Sequence, residues 1–227
     1  FAQIKSSSPS DWIVLRLARN YAAAGSAAKA REVLVHLESN TAEARRDASF
    51  YRSLGEAYSG CRLLSDQAAA YGKMAAAART KSDKMLALQR QLGALSGYGR
   101  ACLDSGQTEA GTAAFETARQ VAQALLAEEA SWANVNLALG VYEALGKPEE
   151  ARQALSKVEE ATPAEARTAV FYDRLAREFG RQGLQEDALR AAYPARSDEA
   201  LARRLGRTPK AIAHRRERLG LVNRTAK

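Results

Sequence analysis

Residues 16–34 read RLARNYAAAGSAAKAREVL. Tyr21 is preceded by Leu17 four residues earlier and followed by Gly25, Ala30 and Leu34 at four, nine and thirteen residues. Helical spacing puts Leu17 and Tyr21 on one face of a first helix. Ala30 and Leu34 share a face of a second helix, and Gly25 lies between the two. Glycine ends helices because it adopts the left-handed backbone conformation without a Cβ clash. Small residues on the second helix let the two axes approach closely. The stretch therefore predicts a helical hairpin.

The pattern recurs. SLGEAY (53–58) supplies Leu54, Gly55 and Tyr58, with Tyr71 thirteen residues after that tyrosine. Residues 97–118 supply Tyr98, Gly99, Cys102, Gly106, Gly111 and Phe115. Residues 138–155 supply Leu139, Tyr142, Gly146, Ala151 and Leu155, and residues 174–192 supply Leu175, Phe179, Gly183, Ala188 and Ala192. Arg62 stands where the turn glycine is expected, and Gln67 and Gly111 replace the small alanine. From anchor to anchor the spacings are 37, 44, 40 and 37 residues, so extended helices or an inserted turn are expected around 60–95. Pro9, Pro148, Pro163, Pro194 and Pro209 all fall at helix starts or junctions, and no segment carries a strand signal. One hairpin cannot bury its apolar face alone, so the expected fold class is all-α, with hairpins stacked into a solenoid.

The L-G-x2-Y, Gly, Ala and aromatic positions resemble the tetratricopeptide repeat (TPR), in five copies over about residues 11–192. The resemblance implies a lead-in at 1–10 and TPR-like repeats over 11–184. It also implies a concave surface, lined by the first helix of each hairpin, that binds a protein or peptide. Counted from the anchors, that face holds Arg19, Arg52, Glu56, Arg100, Asn136 and Arg177. Its arginines suit an acidic peptide or acidic protein surface; the alternative is that they are solvated or paired within the repeats. The Lys/Asn pattern by which some TPR modules hold a C-terminal carboxylate is not present. Trp12 and Trp132, each at the start of a first helix, are expected to cap the stack.

The tail differs in charge. Residues 195–227 contain ten Lys/Arg and three Asp/Glu, a net +7, against +1 for everything before them. Such asymmetry points to a polyanion, nucleic acid first. The punctuation over 185–221 is that of three helices. The first ends before Pro194. The second starts at Ser197 with Asp198 and Glu199, carries Leu201 and Leu205, and stops at Gly206. The third is capped by Thr208 with Pro209 at its first position, has Ile212 and Leu219 on its inner face, and ends at Gly220. Ser197, Leu201, Ala202, Leu205, Gly206, Thr208, Ala211, Ile212, Arg215, Arg218, Leu219, Gly220 and Leu221 resemble the short helix-turn-helix of Myb/SANT-like and GcrA-type bacterial regulators. Of the aromatic core of Myb repeats, Tyr193 alone remains. The resemblance implies a C-terminal module over 185–227, sharing its first helix with the last repeat and placing its third helix in a DNA major groove. Lys210, Ala213, His214 and Glu217 would face the bases. Arg203, Arg204, Arg207, Arg215, Arg216 and Arg218 would meet phosphates. The rival reading is a basic cap that seals the open end of the repeats.

The chain offers little for catalysis. His36 and His214 have no metal-spaced neighbour, and Cys61 and Cys102 fit neither a disulfide framework nor a metal site. Acidic pairs such as Glu149 and Glu150 read as solvated helix starts, and the glycines of 93–99 fall within a helical period. No catalytic constellation, cofactor or metal is expected, and the chain does not read as an enzyme. No apolar run reaches the roughly 18–20 residues that span a bilayer, so no membrane partner is expected. FAQIKSSSPS lacks an initiator Met and a signal-like core, so the chain reads as part of a longer or processed product, cytoplasmic by its cysteines. The expected function is a protein-interaction TPR array coupled to a DNA-binding helix-turn-helix, in a transcriptional or cell-regulatory role. The alternatives are a non-catalytic scaffold whose tail caps the repeats or binds an acidic protein, and the regulatory half of an enzyme whose catalytic domain precedes Phe1.

Overall fold

Large anchor residues and left-handed turns recur through a computed structural model that describes residues 11–192, 197–205 and 207–221. Residues 1–10, 193–196, Gly206, residues 222–227 and the side chains of Arg204 and Leu205 lie outside the described residues, Tyr193 and Pro194 among them. Every regular element described is helical. The chain forms two compact units, Phe1–Glu129 and Ala130–Lys227.

The first unit holds three hairpins: α1 (Asp11–Ala23) with α2 (Ala27–Asn40), α3 (Ala48–Gly60) with α4 (Leu64–Ala77), and α5 (Lys81–Asp104) with α6 (Thr108–Glu128). The second holds α7 (Trp132–Ala144) with α8 (Pro148–Ala161), α9 (Ala169–Arg181) with α10 (Gln185–Ala192), and then α11 (Asp198–Leu205) with α12 (Pro209–Arg218). The anchors set the turns. The Ser26 amide donates to the Tyr21 carbonyl (2.8 Å), Gln107 to Cys102 (2.8 Å), Lys147 to Tyr142 (2.8 Å) and Leu184 to Phe179 (2.9 Å). At Gly25, Gly106, Gly146 and Gly183 the backbone is left-handed, which completes a Schellman cap at each turn. Arg62 takes the same conformation (φ 59°) and the Leu63 amide closes onto Tyr58 (3.0 Å), so a non-glycine residue bears the steric cost there.

The long middle spacings have a definite place. α4 has 14 residues, whereas α5 has 24 and α6 has 21. The extra turns therefore belong to the front of α5 and the tail of α6, rather than to residues 60–80. They bury Ala87, Leu88 and Leu92 against Val121, Ala122, Leu125 and Leu126. The two long helices cross at glycines. A Cβ on Gly99 would lie 2.8 Å from Phe115, and one on Gly111 would lie 2.8 Å from Leu103 and 3.0 Å from the Gly99 carbonyl. This close crossing is why glycine replaces the small alanine at 111.

A longer repeat emerges from the linkers. The shift in numbering that takes Thr41 to Thr162 superimposes α1–α3 on α7–α9 end to end and brings the start of α4 onto the start of α10, although α4 has 14 residues and α10 has 8. α1 and α7 have 13 residues, α2 and α8 have 14, and α3 and α9 have 13. The hydroxyls of Thr41 and Thr162 donate to the carbonyls of Leu37 and Val158. Arg46 and Arg167 donate through Nε to the Thr41 and Thr162 carbonyls, both at 2.8 Å. Asp47 and Thr168 cap α3 and α9 by accepting from the amides of Phe50 and Phe171. Arg31 pairs with Asp66 (2.9 Å) and Arg152 with Asp187 (2.8 Å), each pair 35 residues apart. Two copies of a double hairpin thus flank the long α5/α6 hairpin in the sequence.

Gly99→Ala and Gly111→Ala are each expected to destabilise the first unit by about 1–3 kcal/mol through overpacking. Arg62→Gly is expected to stabilise it by about 0.5–1 kcal/mol by relieving the left-handed strain. Urea unfolding followed by circular dichroism reads both signs, and a loss of stability in Arg62→Gly would contradict the strain account.

Candidate functional site

The charged tail is built on a small apolar centre. Leu201, Ala202 and Ile212 are buried, which fixes one face of α11 against one face of α12. Ser197 accepts from the Ala200 amide (3.4 Å) and Thr208 from the Ala211 amide (3.2 Å), so both helices begin at a hydroxyl cap. Glu199 lies in the first turn of α11, where its own backbone amide and the Ser197 hydroxyl hold its carboxyl below the usual range. The Arg207 amide closes the turn onto the Ala202 carbonyl (3.0 Å), and Leu221 closes α12 onto Arg216 (3.0 Å) with Gly220 left-handed.

The eight cationic positions expected to meet DNA separate into groups. Arg203, Arg207, Lys210, His214 and Arg218 are exposed. Lys210, His214 and Arg218 follow one another at four-residue steps, so these three form a row along α12, and Arg207 lies in the turn before that helix. Glu217 is the exposed carboxylate of that helix, and Ala213 is half-buried. Arg215 and Arg216 turn elsewhere. Arg216 forms an ion pair with Asp198 of α11 at 3.1 Å, the two side chains only 14% and 16% exposed. Arg215 pairs with Glu186 of α10, which ties α12 to the last hairpin. A cavity of about 300 Å³ between α10 and α12 is floored by Leu189 and Ile212 and edged by Arg207 and Arg215. Arg204 falls outside the described side chains.

The docking positions on the first helices divide in the same way. Arg52 lies 3.8 Å from Asp83, and Glu56 accepts from Arg90 at 2.7 Å, so α5 engages both. Arg90 also reaches the Tyr71 hydroxyl, and its guanidinium lies over that ring. Arg19, Arg100, Asn136 and Arg177 are exposed. The two tryptophans differ. Trp132 meets Phe171 edge-on at 5.6 Å and carries Arg174 4.2 Å above its ring, whereas Trp12 is 61% exposed. Sequence reasoning missed Arg174. The signal available was register: Trp132 stands ten residues before its anchor Tyr142 and Trp12 nine before Tyr21, a rotation of about 100° around the helix.

Cys61 and Cys102 are free and buried, and burial pushes the Cys61 thiol up, away from the reactive thiolate. Among the described residues no cluster of His, Cys, Asp and Glu could hold a metal, and no helix is long and apolar enough to cross a membrane. Comparison with known protein families and with characterised proteins finds no match.

Removing the carboxylate in Asp198→Ala is expected to cost about 2–3 kcal/mol, because the pair with Arg216 is largely withdrawn from water. Glu186→Gln breaks a half-exposed pair and is expected to cost at most about 0.5 kcal/mol. Amide exchange in α12 measures both, and equal acceleration in the two variants would contradict the ranking.

Proposed function

We propose that the chain is a non-catalytic, TPR-like protein-docking array that carries a double-stranded-DNA-binding helix-turn-helix at its C-terminal end, in a regulatory role. The observation that carries the reading is the exposed row Lys210, His214 and Arg218, with Arg207 exposed in the turn before it, on a helix whose inner side is held by Ile212 and the Asp198–Arg216 pair. A rigid helix with cations along one side matches the dimensions and charge of a major groove. Arg203, Arg207 and Arg218 supply phosphate contacts, and Lys210 and His214 are placed to meet base edges. Arg215 and Arg216 serve the module's internal structure. A second reading has its own support: Glu186 grips Arg215, as expected of a cap that seals the last hairpin.

Salt dependence separates the two. Fluorescence anisotropy of a labelled random-sequence duplex is measured between ~50 and ~200 mM salt. Three neutralised phosphates, at Arg203, Arg207 and Arg218, give a slope of log K against log salt of about −2.7, roughly −0.9 each. Replacing Arg207, Lys210 and Arg218 together by Gln in the full chain is expected to bring the slope to about −0.9 with unchanged helix content. Equal, negligible binding by both proteins would remove DNA and leave a scaffold with a basic cap.

A further inference from the structure

The two copies of the double hairpin differ at one place, and the difference points to an occupant. Phe50 and Phe171 are equivalent: each lies at a capped helix start and meets the next tyrosine edge-on, Tyr51 at 5.3 Å and Tyr172 at 5.4 Å. In the second copy the free side of Phe171 is covered by the Trp132 indole, which Arg174 stacks upon. In the first copy the equivalents of Trp132 and Arg174 are Asp11 and Ser53. Asp11 turns to Arg45 instead (3.0 Å), and Ser53 is too short to reach across. What remains between the N-terminal ends of α1 and α3 is a cavity of about 390 Å³ floored by Leu15, Leu37, Phe50 and Leu54, with Trp12 on its edge. Its volume lies within the roughly 300–1,000 Å³ of ligand clefts.

Charge selects among aromatic occupants. The carboxylates at the rim are engaged, Asp11 by Arg45 and Asp47 by the Phe50 amide. Arg16 and Arg19 are exposed and continue the line of Trp12 along α1; neither pairs with a described carboxylate. We propose that this groove binds an acidic peptide through one aromatic side chain, which takes against Phe50 the place that Trp132 takes against Phe171, while carboxylates beside it meet Arg16 and Arg19. The proposal rests on the docking reading above and names the partner's chemistry and the point of contact.

Three fluorescein-labelled dodecapeptides test it on the full chain: one Phe among Glu and Asp, the same peptide with Ala for Phe, and one Phe among Lys. The acidic Phe peptide is expected to bind in the tens-of-micromolar range, with at least tenfold weakening on Phe→Ala. Asp11→Trp supplies the indole that covers Phe171 in the second copy and, by occupying the same face of Phe50, is expected to weaken binding at least tenfold. Trp12→Ala, at an exposed position, and Arg16→Glu with Arg19→Glu should act in the same direction. Undiminished binding to Asp11→Trp and Trp12→Ala would overturn this site while leaving protein docking elsewhere on the array. Preference for the basic peptide would overturn the charge assignment and with it the proposal, leaving the docking reading intact. Failure of all three peptides to bind would overturn this site and leave docking elsewhere on the array untouched. Self-association in sedimentation that Asp11→Trp abolishes would assign the groove to a second copy of the chain and overturn the peptide.

Discussion

Each turn hangs on one arrangement: the carbonyl of a large anchor residue accepts the amide five residues on, across a left-handed position. Tyr21, Tyr58, Cys102, Tyr142 and Phe179 all do this, and four of the five turns use glycine to do it at little cost. The arrangement satisfies carbonyls that the helix end would otherwise leave open. It also fixes where the second helix starts, so small residues such as Ala30, Ala151 and Ala188 arrive against the first helix fully buried. Arg216, with Gly220 and Leu221, repeats the cap at the end of α12. One local rule therefore builds both the repeats and the basic module, although the latter carries a different charge.

On that common frame, function depends on which polar groups are left over. Many charged side chains on the helices meet a neighbouring side chain. Arg31, Arg152, Lys73 and Lys84 each meet a carboxylate some 35 to 44 residues away, which holds successive helices in register. These pairs are surface pairs, and each adds a fraction of a kcal/mol, about 0.2–1. The more consequential pair is Asp198–Arg216, which is withdrawn from water and orients α12. Its effect is to turn Lys210, His214 and Arg218 outward in one row.

Turns and anchors were legible because their chemistry is local: a glycine four residues after a large residue says the same thing in any fold. The α12 cap was legible for the same reason, as Thr208 and Pro209 declare it. The fate of Arg216 was not. In sequence it is one more cation in HRRER, and only the packing of Leu201 and Ala202 against Ile212 brings Asp198 to it. Arg52 and Glu56 were likewise placed on the expected face, yet the added turns of α5 bring Asp83 and Arg90 against them. The double-hairpin copy lies in plain view in Thr41, Arg46 and Phe50 against Thr162, Arg167 and Phe171. Those residues fall in linkers, outside the helical period, so a scan for hairpin spacing passes over them.

Hydrogen–deuterium exchange of the full chain, with and without a 20-base-pair duplex at low salt, tests the central claim most directly. The account predicts slowed exchange over 203–218, lost when salt is raised, with α1–α4 unchanged. Exchange over 203–218 that is indifferent to duplex at saturating concentration would contradict it.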